Sequence, residues 1–276
     1  MKLNIPDKIL GVYKKIQNAE FEVYLVGGSV RDIILEKNVK DWDFTTNATP
    51  QEILKIFPNG FYDNPFGTVG VPVEKSQVVE ITTYRTEHGH KDRRRPEKVV
   101  WGKTIDEDLS RRDFTINAIA LQLNPKDYTL NPRIVDLFNG QEDLKNKIIK
   151  AVGDPKKRFK EDALRLIRAI RLTTELSFII EEKTWNEIVN DASLINDISK
   201  ERIQIELLRI LASDYPYEGI MLLRNSGLLE HIIPELLEGV GISQVRPGRH
   251  HTTDVFTHNV MSLKFCPSID PIVRFA

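Results

Sequence analysis

YLVGGSVRD, residues 24–32, carries an apolar strand-like run through the Gly27-Gly28 pair into a helix expected over residues 29–35. Two residues without side chains let backbone amides approach an anion, the helix N-terminus adds partial positive charge, and Arg31 one turn inside supplies a bidentate donor. Gly28 and Arg31 are therefore candidate phosphate-binding residues, although in most proteins such a glycine pair only turns the chain. Shortly after comes KDWDF, residues 40–44, in which Asp41 and Asp43 flank Trp42 on an expected strand. Alternation along a strand sends both carboxylates from the same face. Held that close they repel unless cations neutralise them, so the pair is a candidate catalytic Mg2+ site. Such a site bridges phosphates and stabilises the attacking and leaving oxygens of an in-line displacement. An isolated Asp-x-Asp is usually a surface turn, and its place after a glycine turn favours the metal.

Outward from this core, residues 21–28, 68–73 and 77–85 are short β-rich runs, whereas residues 29–35 and 50–56 have helical spacing. That mixture predicts an α+β N-terminal head with a small sheet, over residues 1–143. From about Leu144 the pattern changes. Residues 145–176, 202–213 and 218–237 repeat apolar positions at helical spacing with almost no strand signal, which predicts an all-α neck (144–213) and body (214–245).

Composition bounds the possibilities. The chain has 276 residues, 41% hydrophobic and 29% charged, enough for two compact units. No run of eighteen apolar residues suggests a membrane span, and the first ten residues lack an export signal, so a cytoplasmic protein is expected. A single cysteine, Cys266, can build neither a disulfide framework nor a thiolate cluster within the chain. With 39 basic against 40 acidic residues the net charge is -1, so any nucleic-acid surface has to be local. Three basic clusters could form one: Lys91 with Arg93, Arg94 and Arg95; Arg111 with Arg112; and Arg165 with Arg168 and Arg171. Each could equally be a solvated charged face.

GGSVRD followed by DWD resembles the signature of the polymerase-β-like nucleotidyltransferases, specifically the bacterial class that holds CCA-adding enzymes and poly(A) polymerases. RRDFTINA (111–118) is similar to the second motif of that class, EDALRLIRAIR (161–171) to its nucleotide-selecting motif, and RTEHGHKDRRRP (85–96) to its flexible loop. His90 departs from the tyrosine usual in that loop. The resemblance implies template-independent transfer of CMP and AMP from CTP and ATP to a tRNA 3′ end, with Mg2+ on Asp41 and Asp43. It equally admits a poly(A) polymerase, or an enzyme adding only CC or only A. A loop at 87–98 of full length favours complete CCA addition. A non-catalytic RNA-binding module, the reading from another class, would predict loss of an aspartate from the Asp-x-Asp pair or of the Asp162 and Arg165 pair.

The selecting motif has a physical rationale of its own. On a continuous helix Asp162 and Arg165 occupy neighbouring positions of one face, with Arg168 continuing it. A carboxylate accepting from an exocyclic amino group and a guanidinium donating to a ring nitrogen suit both cytosine and adenine and mismatch uracil and guanine. The alternative is a set of ordinary surface salt bridges involving Glu161. Arg171 is added as a nucleotide-binding residue by the resemblance. Arg112, just before an expected helix over DFTINAIA, is placed for a triphosphate or sugar, while Arg111 has a structural reading and Asp113 is expected to cap the helix. Glu80 is either a third carboxylate near the metals or a solvent-facing strand residue. GRHHTTDVFTHNV, with His250, His251 and His258, looks like the entry to an HD-type phosphohydrolase domain over residues 246–276, but the downstream His-Asp pair such a site needs is missing.

Overall fold

The computed structural model describes residues 3–62, 67–74, 77–91, 95–128, 130–243 and 253–276. They form two compact units, one built mainly from residues up to 146 plus 150–153, the other mainly from 147–149 and 154–276. The change of unit thus falls just beyond the expected head boundary at 143, and residues 154–276 group together.

In chain order the first unit contains α1 (Asp7–Asn18), β1 (Val23–Val26), α2 (Gly28–Ile34), β2 (Asp43–Thr46), α3 (Pro50–Ile56), β3 (Thr68–Glu74) and β4 (Gln77–Thr83). It continues with β5 (Arg85–Lys91), β6 (Arg95–Trp101), α4 (Ile105–Ser110), β7 (Ile119–Gln122), β8 (Arg133–Asp136) and α5 (Gly140–Lys145). Six strands make one sheet in the order β3-β4-β2-β1-β7-β8, with β2 and β4 parallel and the other pairs antiparallel. β5 and β6 pair separately, so the segment expected as a loop at 87–98 is largely a two-stranded ribbon; residues 92–94 lie outside the described residues.

β1 is buried along its whole length because both sheet faces are covered. On one, Tyr13 of α1 packs edge-on to Phe44 at 6.0 Å and its hydroxyl donates to Val23 O at 2.9 Å. On the other, Tyr24 and Val26 join Ile105 and Leu109 of α4 in an apolar cluster. Both α3 and α4 start with a capping box, Thr49 with Glu52 and Thr104 with Glu107, each satisfying two amides that would otherwise lack partners.

Two local expectations are corrected. The helix expected over DFTINAIA is a single 3-10 turn, Thr115–Asn117, leading into β7. Residues 118–121 form an unbroken buried apolar run, which periodicity cannot assign, and pairing with β1 and β8 settles it as strand. Asp41 is not on the strand: β2 begins at Asp43, and Asp41 lies in the exposed bend before it. The extended ladder still reaches Trp42, whose carbonyl accepts from Glu80 N at 3.2 Å. Trp42 is buried at 4% exposure, which turns the flanking carboxylates away from the core.

The second unit contains β9 (Ile148–Ile149), α6 (Pro155–Glu161), α7 (Leu164–Leu176), β10 (Ile179–Ile180), α8 (Glu182–Asn190) and α9 (Lys200–Ala212). After these come α10 (Pro216–Asn225), α11 (Leu229–Ile232), α12 (Pro234–Leu237), α13 (Val255–Phe265) and α14 (Pro271–Phe275). A two-residue parallel pairing of β9 with β10 is its departure from the expected all-helical character. α7 buries residues on every side and so is the central helix. It packs on α9 and α10, and Gly219 is where they close up: a Cβ there would fall 2.3 Å from Ile210 Cγ2 and 3.0 Å from Thr174 Cγ2. No helix among the described residues is long and apolar enough to cross a membrane.

Candidate active site

The turn between β1 and α2 places the first group of side chains. Gly27 has φ 70° and ψ -140°, a backbone state that side chains with a Cβ rarely adopt. A Cβ there would lie 3.2 Å from Arg112 Nη1 and 3.3 Å from Asp43 Oδ2, so one small space is bordered by a guanidinium and a carboxylate. Arg31 on α2 curls back over Gly28, its Nη2 3.5 Å from the position a Cβ would take. It donates through Nη1 to Asn117 Oδ1 at 3.0 Å and through Nε to Asp32 Oδ1 at 2.9 Å.

Asp43 is directly in register with Glu80 across the parallel β2-β4 pair. Burial pushes its carboxyl up to about 6, Glu80 and Asp41 push the same way, and Arg112 and Arg31 only partly oppose them. Three carboxylates therefore lie close enough to repel in one partly dry corner. Of the two readings open for Glu80, third carboxylate or solvent-facing strand residue, both hold in part: register brings it beside Asp43, and it is exposed. Among the described residues, no three His, Cys, Asp or Glu side chains already form a closed metal-binding set. The charge excess at Asp43 nevertheless fits a divalent cation, since a cation would remove the repulsion.

The arginines rest on a residue that the sequence did not single out. Asp108 of α4 is fully buried and accepts from Arg111 Nε at 3.0 Å and Nη2 at 2.6 Å, and from Arg112 Nη2 at 3.0 Å. Burial would push its carboxyl up, but the two guanidiniums hold it below the usual carboxylate range. Arg112 Nη1 also lies 3.5 Å from Asn117 O, while its buried Nε has no hydrogen-bond partner among the described residues. Asp113 accepts from Phe114 N and Asn117 Nδ2 and does not cap the 3-10 turn.

The second unit holds the expected base-reading residues. Asp162 is not on a continuous helix with Arg165. Its backbone is extended, φ -147° and ψ 104°, and it forms the break between α6 and α7. Its carboxylate accepts from Leu164 N at 3.2 Å and takes Arg202 of α9 at 3.3 and 3.0 Å. Arg165, mostly buried, donates to Arg158 O and to Glu161 Oε2, each at 2.9 Å. Arg168 Nε reaches Glu206 Oε1 at 3.3 Å, and Arg171 Nε stands 3.1 Å from Glu206 Oε2 and 3.6 Å from Glu175. Two of the three basic clusters, Arg111 with Arg112 and Arg165 with Arg168 and Arg171, are thus drawn into internal ion pairs and are not solvated strips. In the remaining cluster, Arg93 and Arg94 lie outside the described residues, as do His250 and His251. His258 lies on α13.

Residues 23–150 match the family model for the poly A polymerase head domain, and residues 177–239 match that for the probable RNA and SrmB-binding site of polymerase A. Neither match reaches residues 246–276, so they give no support to an HD-type segment there. The CCA-adding enzyme of Lactobacillus helveticus (strain DPC 4571) is 43% identical over 247 residues, covering 88% of this chain and 60% of that protein. The structure of the Bacillus stearothermophilus CCA-adding enzyme in complex with CTP superposes with a TM-score of 0.70 at 36% identity, over 80% of this chain and 52% of that one. A tRNA nucleotidyltransferase complexed with a primer tRNA and an incoming ATP analog gives 0.67 at 30% identity, over 83% and 66%. The chain spans about half to three-fifths of the length of the first relatives it matches.

Proposed function

The chain belongs to the superfamily of bacterial CCA-adding enzymes and class II poly(A) polymerases, and from that we propose that it adds CMP and AMP, from CTP and ATP, to the 3′ end of tRNA without a nucleic-acid template. The observation that carries this reading is the corner where Asp43, Glu80 and Asp41 repel one another beside Arg112 and the side-chain-free Gly27. Asp41 and Asp43 would hold Mg2+, which supplies charge neutralisation for the reacting phosphate and hydroxyl oxygens.

The chain's own residues then have defined tasks. Arg31 and Arg112 draw the triphosphate towards the β1-α2 turn, where Gly27 leaves room for it and the buried Nε of Arg112 awaits an acceptor. The terminal 3′-hydroxyl oxygen bonds to the α-phosphorus as the bond to pyrophosphate breaks. Glu80, exposed and in register with Asp43, is placed to accept the hydroxyl proton.

Base choice falls to Asp162 and Arg165. Asp162 Oδ2 accepts one bond, from Arg202, and a carboxylate oxygen can accept a second, so an exocyclic amino group of cytosine or adenine can be received there. Arg165 supplies the donor for the ring nitrogen. UTP or GTP would set an acceptor against the carboxylate and leave it unpaired, a costly mismatch. Arg168 and Arg171 on the same helix would complete the nucleotide-binding set, with Arg171 steadied by Glu206 and Glu175.

The test is product length on tRNA transcripts ending at the discriminator base, at C and at CC, with Mg2+ and CTP plus ATP. Addition of CCA, CA and A respectively is expected. A product stopping at CC, addition of A alone to CC ends, or a growing A tail each identifies another member of the superfamily. RNA binding without any nucleotide addition would replace this reading with a non-catalytic module.

A further inference from the structure

We propose that Asp108 is a positioning residue for nucleotide binding, setting the guanidinium of Arg112 against the Gly27 and Asp43 corner although it touches no substrate itself. This inference rests on the nucleotidyltransferase reading of that corner. Asp108 is completely buried, and it divides its two oxygens between neighbours: Oδ1 takes two bonds from Arg111, at 3.0 and 2.6 Å, and Oδ2 takes one from Arg112 at 3.0 Å. Spacings of three and four residues put both arginines over the same turn of chain, so one carboxylate can hold both.

The division matters for what Arg112 has left. With Nη2 anchored on Asp108, Nη1 borders the space beside Gly27 and Asp43 Oδ2, and the buried Nε has no hydrogen-bond partner among the described residues. A buried donor without an acceptor is costly, and an incoming phosphate oxygen would satisfy it. Asp108 also absorbs positive charge. Without it Arg112 would be free to swing onto Asp43 and compete there with the cation and the nucleotide for the same groups. The side chain therefore fixes direction as well as charge.

The experiment measures CTP and ATP affinity in Mg2+ without primer, and KM and kcat with primer, for wild type, Asp108→Asn, Asp108→Glu, Arg112→Gln and the double variant Asp108→Asn with Arg112→Gln. Loss of nucleotide affinity by about tenfold or more is expected for Asp108→Asn, as for outer-sphere groups that orient a ligand-binding side chain. Asp108→Glu, which keeps the charge but moves it by one methylene, should fold with an intermediate loss. In the Arg112→Gln background the Asp108 substitution should add little, because the residue it positions is gone. Should Asp108→Asn fail to fold, Asp108→Glu decides alone: weakened affinity at unchanged unfolding temperature supports the assignment. Wild-type affinity in a folded Asp108 variant, or losses that simply multiply in the double variant, would overturn it. Wild-type protein that binds no triphosphate would instead overturn the nucleotidyltransferase reading itself.

Discussion

In the first unit Asp43 stands beside Glu80 and Asp41 with its carboxyl pushed up to about 6, whereas in the second Asp162 and Glu206 are each gripped by arginines from a neighbouring helix. Both regions bring acidic groups into partly or fully buried places, Asp43 in one and Glu206 in the other, but only Asp43 is left against other carboxylates. The paired set, Asp162 with Arg202 and Glu206 with Arg168 and Arg171, matches each acid with guanidinium charge and makes an ion-paired frame that ties α7 to α9. The repelling set stores an unfavourable charge that a cation would relieve, which is the expected condition of a site built for binding rather than for stability.

The frame can be broken first, and with the largest effect. Glu206→Ala leaves Arg171 in the α7-α9 seam facing Glu175 at 3.6 Å, and truncating one member of a buried pair costs about 3–5 kcal/mol. Urea unfolding should show that loss, together with weaker discrimination among nucleotides, since α7 also carries Arg165. A surface-like cost under about 1 kcal/mol would mean the seam is not the frame described.

At the Asp162 end of the frame the effect is on selectivity. Asp162→Asn exchanges an acceptor for an amide that can also donate, so UTP should become a substrate and the ratio of kcat/KM for CTP over UTP should fall on the order of 10²-fold. Unchanged selectivity would return Asp162 to a purely structural role at the α6-α7 break.

The repelling set should respond in the opposite sense. Because the folded-state pKa of Asp43 is raised, the folded protein takes up this proton more readily than the unfolded chain between the ordinary value of 3.8 and about 6. Its contribution to stability is therefore favourable at low pH and is lost as pH rises through about 6, leaving ionised Asp43 a cost at neutral pH. Asp43→Asn should stabilise the metal-free protein by about 2–3 kcal/mol at pH 8, and the gain should vanish towards pH 4. Mg2+ should then raise the unfolding temperature of wild type more than that of the variant. Destabilisation by Asp43→Asn at pH 8 would show that the carboxylate is a supporting partner.

The same contrast explains what could be read in the sequence. Local signals placed α2 and α3 and the strands at residues 68–73 and 77–85, since glycine turns, helical spacing and alternation are short-range properties, but alternation put Asp41 on a strand that begins only at Asp43. Features decided by distant partners were not legible. The register of Asp43 with Glu80 joins strands separated by α3 and β3. Asp108 reads as one more acid in a charged helix until the fold closes over it. At the break, Asp162 is held by Arg202, forty residues away along the chain. In DFTINAIA a fully buried run fits helix and strand equally, and only the neighbouring strands decide.

Whether Asp41 and Asp43 hold the reacting nucleotide's cation is tested most directly by single-turnover transfer of labelled CMP from CTP to a tRNA transcript ending at the discriminator base. With Mg2+ at pH 8, wild type should transfer the label, while Asp41→Asn and Asp43→Asn, both folded, should be slowed by at least about 10³-fold. Transfer at the wild-type rate by either variant would contradict the account.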